Sequence, residues 1–316
     1  MERYLTPDEL DKALRRDVAD GLSAVPKSLP PKWFYDERGS TLFEEITRLP
    51  EYYPTRRERA ILVERAAEIA AVTGAESLLE LGAGSGEKTR LLLDALAGTL
   101  HTYVPVDVSG DFLAVATRQL AADYPDLAVR AVVADYERHL HLLPTGGRRL
   151  IAFLGGTIGN MPSAERIGFL GAVRASMTEG DSLLLGADLV KDVDRLVAAY
   201  DDAQGVTAEF NRNVLHVINR ELDADFVPAA YEHIARWDPA HEWIEMRLRA
   251  AGRQSVSIGR LDLRVDFAAG EEMRTEISAK FRRDGLMREL DAAGLALAEW
   301  WTDHAGDFSL LLAQPR

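Results

Sequence analysis

The chain has no cysteine in its 316 residues, which excludes disulfides, thiolate metal sites and a cysteine nucleophile. It is short of positive charge: 37 Lys and Arg face 51 Asp and Glu, a formal net charge of −14. No basic stripe offsets that balance locally, so nucleic acid is not an expected partner. No apolar run approaches the ~20 residues of a membrane span, so no membrane association is expected. The first residues, Met1 to Asp17, are charged from the start, and no secretory leader is expected. Only seven histidines are present, and His139 and His141 lack a carboxylate pair at metal-ligand spacing, so no metal is expected. Neither a Ser-His-Asp arrangement nor a G-x-S-x-G elbow stands out. There is no internal repeat and no low-complexity segment. What is present, 47% hydrophobic and 28% charged residues, is the balance of a soluble globular protein. The length allows one large domain or two ordinary ones. A cytoplasmic protein acting on a small molecule is the expectation, with a monomer as default because no exposed heptad or long apolar edge strand announces a partner.

The pattern along the chain separates two kinds of segment. Thr6 followed by Pro7-Asp-Glu9 reads as a capped helix start, with Leu10, Ala13, Leu14 and Val18 at helical spacing. Pro26, Pro30 and Pro31 break it, and Thr41-Leu-Phe-Glu44 reads as a capping box restarting a helix. From Glu58 helices and strands alternate. Strands are expected at Ser77 to Leu81, Thr102 to Val106, Ala128 to Val133, Arg149 to Leu154 and Ser182 to Gly186. Helices are expected at Glu58 to Ala71, Glu87 to Leu96, Asp111 to Ala122 and near Ala164 to Ser176. Such alternation predicts a doubly wound α/β fold, a parallel sheet with helices on both faces. Between Lys191 and Lys280 the alternation stops: Leu196 to Phe210 reads as helix, and Trp243 to Leu248, Leu261 to Phe267 and Met273 to Phe281 as half-buried antiparallel strands. The tail returns with a helix, Leu286 to Ala292, and strands Ala298 to Thr302 and Phe308 to Leu312, expected to be antiparallel neighbours at the sheet edge, with Trp300-Trp301 packing that edge. The economical division is residues 57–190 with 281–316 as a cofactor-binding domain, and 1–56 with 191–280 as a discontinuous α+β substrate-binding domain.

The chemistry is concentrated after the first strand. Glu80-Leu-Gly-Ala-Gly-Ser-Gly86 lies between strand and helix, where Gly82 and Gly84 permit a tight turn and close backbone approach of a ligand. The spacing is one residue short of G-x-G-x-x-G, the dinucleotide fingerprint. Asp107 ends the second strand, where a carboxylate can accept from both ribose hydroxyls, and Asp135 ends the third, beside the place an adenine would occupy. Each acid could alternatively cap a following helix or turn. Two of them beside a glycine-rich turn favour nucleoside binding. The acid before the loop, the loop spacing and the paired C-terminal strands favour S-adenosylmethionine over a nicotinamide.

Combined with four further stretches, these motifs resemble the S-adenosylmethionine-dependent histidine-specific Nα-methyltransferases of ergothioneine biosynthesis. The stretches are Lys27-Ser-Leu-Pro-Pro-Lys-Trp-Phe-Tyr-Asp36, Leu49-Pro-Glu-Tyr-Tyr-Pro-Thr55, Phe153-Leu-Gly-Gly-Thr-Ile-Gly-Asn160 and Asp266-Phe-Ala-Ala-Gly-Glu-Glu-Met273. The resemblance covers essentially the whole chain and implies a class I methyltransferase fold, S-adenosylmethionine as methyl donor and L-histidine as substrate, converted to its trimethylated form, hercynine. It implies cofactor contacts from Gly82, Lys88, Asp107, Asp135 and Tyr136. It also implies that Tyr52, Asn160 and Tyr200 hold the substrate's α-carboxylate and amine. Glu276 and Ser278, two apart on an expected strand, would share one face and could hydrogen-bond both imidazole nitrogens. From pattern alone they read as a solvent-facing polar pair, and the resemblance reverses that order. Met246 could line the same pocket, or pack as an ordinary core methionine. No dedicated base is expected, and Tyr35 and Phe43 are candidates to pack around the methylated nitrogen. The competing readings are a same-fold methyltransferase for another amino acid or small amine, a nicotinamide oxidoreductase, and a non-catalytic cofactor sensor.

Overall fold

In the computed structural model, which describes residues 1–84 and 86–316, the chain divides into two units. Ser85, inside the expected glycine-rich turn, and the side chains of Asp111 and Phe112, in the expected helix from Asp111 to Ala122, lie outside the described residues.

The first unit comprises Met1–Leu5, Pro54–Val190 and Lys280–Arg316. Its sheet runs in the order Glu2–Arg3, Val132–Val133, Thr102–Asp107, Ser77–Leu81, Arg149–Phe153, Ser182–Asp188, Phe308–Pro315, Leu295–Thr302, with Ala128–Val129 also pairing on Thr102–Asp107. All pairs are parallel except those of Phe308–Pro315 with its two neighbours. The apolar runs Leu78-Leu79, Leu150-Ile151-Ala152-Phe153 and Leu183-Leu184-Leu185 are buried, as strands covered on both faces require. Helix Pro54–Thr73 contributes Ile61, Leu62 and Ile69 to the same core as Leu78, Leu92, Leu150, Phe308 and Leu310. The strand order reverses between Ser77–Leu81 and Arg149–Phe153. The C-terminal ends of strands at such a reversal leave a crevice, the usual ligand position in open α/β sheets.

The second unit comprises Thr6–Tyr53 and Lys191–Ala279. A three-stranded antiparallel sheet has Trp243–Ala250 between Glu272–Ala279 and Tyr231–Asp238, and Gln254–Ile258 forms a hairpin with Leu263–Phe267. Helices Pro7–Ser23, Glu37–Arg48 and Val206–Leu222 bury apolar stripes in one core that includes Leu14, Val18, Phe34, Ile46, Phe210, Val214 and Ile218. The capping box at Thr6 is present: its hydroxyl accepts from Glu9 N at 3.3 Å, and the Glu9 carboxylate accepts from Thr6 N at 2.9 Å.

Several sequence expectations are corrected. Residues 1–5 join the sheet unit, because Glu2–Arg3 pairs in parallel with Val132–Val133. The helix expected to restart at Thr41 begins at Glu37, because Asp36 accepts from Gly39 N at 2.8 Å and takes the cap. The single helix expected over Leu196 to Phe210 is two, Val193–Ala198 and Val206–Leu222. Asp202 ends the break by accepting from Val206 N and Thr207 N at 3.0 and 2.7 Å, with Gly205 at φ +76°. The strand expected over Ala128 to Val133 is interrupted into two short pieces. Leu261 closes a 3₁₀ turn, Gly259–Leu261, and the strand it was expected to open starts at Leu263. Strands Tyr231–Asp238 and Gln254–Ile258 went unrecognised.

Candidate active site

In the first unit the glycine-rich turn leaves Ser77–Leu81 with Gly82, Gly84 and Gly86 at φ +71°, +54° and +70°, a left-handed backbone that side chains resist. Gly82 N is held by Val106 O at 2.8 Å, and Gly84 N reaches Asp107 Oδ2 at 3.4 Å. Among the described residues, a Cβ built on Gly84 would meet nothing within 4 Å, which leaves space for a ligand to approach the backbone. Asp107 ends its strand half-buried, its Oδ1 accepting from Ser109 N at 2.9 Å. Burial raises its pKa, against the pull of these backbone donors.

Asp135 Oδ1 accepts from Glu137 N at 3.0 Å, so this acid does cap the short helix Tyr136–His139. Tyr136 stands beside the turn: a Cβ on Gly82 would lie 3.8 Å from its Cε1, and its ring packs edge-on to Phe153 and Phe169 at 5.2 and 5.9 Å. Lys88, just before helix Thr89–Ala95, is not the solvated surface lysine its position would suggest. It pairs with the fully buried Glu58 of helix Pro54–Thr73. Glu58 also accepts from Gly155 N at 2.8 Å, which ties the turn after Ser77–Leu81 to the turn after Arg149–Phe153. That second turn ends in Asn160, half-buried at the close of Thr157–Asn160.

Below the loop, Glu80 is buried and accepts from Tyr103 Oη at 2.6 Å and Thr89 Oγ1 at 2.7 Å. Burial pushes its pKa up to about 7. Among the described residues there is no group of three or more His, Cys, Asp or Glu that could hold a metal ion, and no helix is long and apolar enough to cross a membrane.

In the second unit the remaining residues named from the sequence come together. Ser278 Oγ and Tyr200 Oη are hydrogen-bonded at 2.7 Å in a buried setting. The Tyr200 ring lies 6.2 Å from Tyr52, Tyr52 6.1 Å from Phe43, and Phe43 5.6 Å from Tyr35, all edge-on. Phe210, which the sequence did not single out, packs against both Tyr35 and Phe43 at 5.4 and 5.9 Å. Glu276 stands directly opposite Met246, and Ser278 opposite Ile244, so the two polar side chains share a face while Ile277 takes the other. Glu276, Ser278 and Met246 are all buried, so the pair is not on a solvent-facing surface. Asn160 belongs to the other unit from these residues.

The sequence also passed over a buried polar chain beside Tyr200. Asn211, inside helix Val206–Leu222, donates to Arg247 O at 3.0 Å and lies 2.8 Å from His233 Nδ1. With that nitrogen an acceptor, His233 Nε2 carries the proton and donates to Tyr200 O at 2.7 Å. Burial lowers the His233 pKa and favours this neutral form. Thr275 Oγ1 bonds Asn211 Oδ1 at 2.6 Å. The available signal was the presence of two asparagines, Asn211 and Asn213, inside an apolar helix, where Asn is a poor helix former.

A parallel sheet closed by an antiparallel final pair, a glycine-rich first turn and acids at the next two strand ends define a class I S-adenosylmethionine-dependent methyltransferase. The open space at Gly84 and the Asp107 carboxylate beside it fit the donor's nucleoside. The chain belongs to the histidine-specific, S-adenosylmethionine-dependent methyltransferase family, whose model matches residues 14–315. It is 57% identical over 315 residues to the histidine N-alpha-methyltransferase of Mycolicibacterium smegmatis, covering 99% of this chain and 98% of that one. It is 58% identical over 312 residues to the protein of the same name from Mycobacterium tuberculosis, covering 98% and 97%. Among solved structures, the PH0226 protein of Pyrococcus horikoshii aligns with a TM-score of 0.50 at 13% identity, over 89% of this chain and all of that one, a likeness of fold alone.

Proposed function

We infer that the protein transfers three methyl groups from S-adenosylmethionine to the α-amino nitrogen of L-histidine, giving hercynine, the first step of ergothioneine biosynthesis. The observation that carries this reading is near-full-length identity of 57–58% to two proteins named histidine N-alpha-methyltransferase.

S-adenosylmethionine supplies a methyl carbon made electrophilic by its sulfonium. In each cycle the amine lone pair forms the N–C bond as the C–S bond breaks and its electrons stay on sulfur. A proton leaves the nitrogen before the next cycle. The protein's task is therefore to present a neutral amine in line and at near-attack distance, and no strong base is dedicated to it. Gly82 and Gly84 offer backbone to the donor, Asp107 accepts from its ribose hydroxyls, Asp135 and Tyr136 flank the adenine, and Lys88 reaches its carboxylate. Lys88 has three donors, so one can serve Glu58 while another serves the ligand. Tyr52, Asn160 and Tyr200 hold the α-carboxylate and amine of histidine. Glu276 and Ser278 bond the two imidazole nitrogens, with Met246 lining the pocket. Tyr35 and Phe43 face the nitrogen as it becomes a permanent cation, which an aromatic surface attracts. Support for these assignments is the burial of Glu276 and Ser278 on one strand face and the direct Ser278–Tyr200 bond. The protein is proposed to work as a cytoplasmic monomer, without metal, nucleic acid or membrane.

The test is mass spectrometry of histidine incubated with pure protein and S-adenosylmethionine, with tryptophan and other amino acids as controls. Histidine should gain up to three methyls at the α-nitrogen while the controls stay untouched. Methylation of a control in preference to histidine would favour the same-fold alternative for another amino acid.

A further inference from the structure

Strand Glu272–Ala279 does not run in simple register with its neighbour. Arg274 pairs with Arg247 and Glu276 with Met246, so Thr275 is one residue extra on its strand. The consequence lies in which face each side chain takes. Met273, Glu276 and Ser278 stand opposite Leu248, Met246 and Ile244, which are all buried and share one face of the sheet. The other face carries an ionic ladder in which Arg249 and Arg236 pair with Glu272 at 2.7 and 2.9 Å, and Arg247 with Glu245 at 2.6 Å. Side chains alternate with a period of two, so regular pairing of Thr275 with Met246 would put Glu276 opposite Glu245 and turn Glu276 and Ser278 away from the buried face and onto the ionic ladder. The orientation of the residues read as imidazole-binding therefore depends on Thr275 staying out of the ladder.

The insertion is held by a specific device. Thr275 Oγ1 donates its single proton to Asn211 Oδ1 at 2.6 Å and lies 3.1 Å from Met246 O, the weaker branch of a shared bond, in a fully buried position. Asn211 continues to His233, which stands opposite Leu248 and so on the same face as Glu276 and Ser278. His233 ends the chain on the main-chain carbonyl of Tyr200, whose hydroxyl bonds Ser278. The chain thus touches both ends of the Tyr200–Ser278 pair without including it. We propose that Thr275, Asn211 and His233 are positioning residues for substrate specificity: they pin the one-residue insertion and the Tyr200 backbone together, and so set the face and spacing of Glu276, Ser278 and Tyr200. The inference rests on the reading of those three as histidine-binding residues.

The test compares Thr275→Val, which keeps the shape and removes the hydroxyl, with Thr275→Ser, which keeps the hydroxyl. Asn211→Leu and His233→Phe break the next links, and His233→Gln restores a donor toward Tyr200 O. Histidine KM and kcat, the S-adenosylmethionine dissociation constant and the side-chain ¹⁵N signals of His233 are measured for each. Thr275→Val, Asn211→Leu and His233→Phe should raise histidine KM by at least ~10-fold, about 1.4 kcal/mol, as expected when a buried group loses its partner. Donor affinity should stay within about twofold, because donor contacts are read in the other unit. Thr275→Ser and His233→Gln should recover most of the histidine affinity, and Thr275→Val should shift the His233 signals. The proposal is overturned if Thr275→Val leaves histidine KM unchanged, if Val and Ser behave alike, or if histidine and donor affinity fall together. Wild-type protein that fails to methylate histidine would instead overturn the substrate reading. The response of the His233 signals to Thr275→Val tests the linkage apart from that reading.

Discussion

Replacing Lys88 by methionine strips the partner from a carboxylate that has no contact with solvent. Glu58 is fully buried, and its neighbours are Lys88 Nζ, the N–H of Gly155 and the bare Cα of Gly186, where any Cβ would collide with the carboxylate. Removing one member of a buried ion pair costs about 3–5 kcal/mol, because the remaining charge keeps its desolvation cost without its partner. Lys88 retains 22% exposure, so water can partly compensate and the lower end, about 3 kcal/mol, is expected. Lys88→Met should therefore lower the amide-exchange protection of Ser77–Leu81, Arg149–Phe153 and Gly155 by about 100-fold. The second unit should be unaffected. The double variant Lys88→Met with Glu58→Gln removes both charges while leaving Gln an oxygen for Gly155 N, and most of the protection should return. A single variant as protected as wild type, or a double variant no better than the single, would refute the reasoning.

Glu276→Ala should reduce histidine kcat/KM by about 100-fold or more, since a site built to hydrogen-bond a ring discriminates strongly, while isothermal titration shows donor affinity unchanged. Equal losses in both would sink the assigned role. Glu80 has a folded-state pKa raised from 4.5 to about 7. Its contribution to stability is thus fully present below about pH 4.5 and is lost as pH rises through 7, a loss of roughly 3 kcal/mol at most. Glu80→Gln, which still accepts from Tyr103 and Thr89, should flatten the stability profile between pH 5 and 8 relative to wild type. An equally steep profile by urea denaturation would count against burial as the cause. Tyr35→Leu or Phe43→Leu should leave the first methyl transfer largely intact and slow the later ones by about three- to tenfold, the scale of a partly desolvated cation–π contact. Product distributions by mass spectrometry that match wild type would remove the aromatic pair from the mechanism.

How much was legible in the sequence followed from how local the signal is. The alternation of apolar strands and helices, the glycine-rich turn after Ser77–Leu81 and the terminal strand pair were readable because each is set by nearest-neighbour rules of backbone and burial. The broken helix at Asp202–Gly205 was not, because an aspartate is compatible with either a helix interior or a cap until its backbone partners are known. Lys88 is the sharpest case beside the glycine-rich turn. Its place in the chain suggests a solvated lysine, and its actual partner, Glu58, is 30 residues away.

By itself, then, the sequence determined the fold class, the glycine-rich turn after the first strand of the alternating region and, through stretches outside the generic fold, the family. Tertiary structure decided which side chains those elements aim and what holds them. Glu276 and Ser278 face the buried side because Thr275 is left out of the strand pairing, and Thr275 bonds Asn211, which in turn meets His233, on a helix and a strand distant in sequence. The physical reason is the two-residue period of a strand. It makes side-chain direction depend on register, and register is set by pairing with other strands.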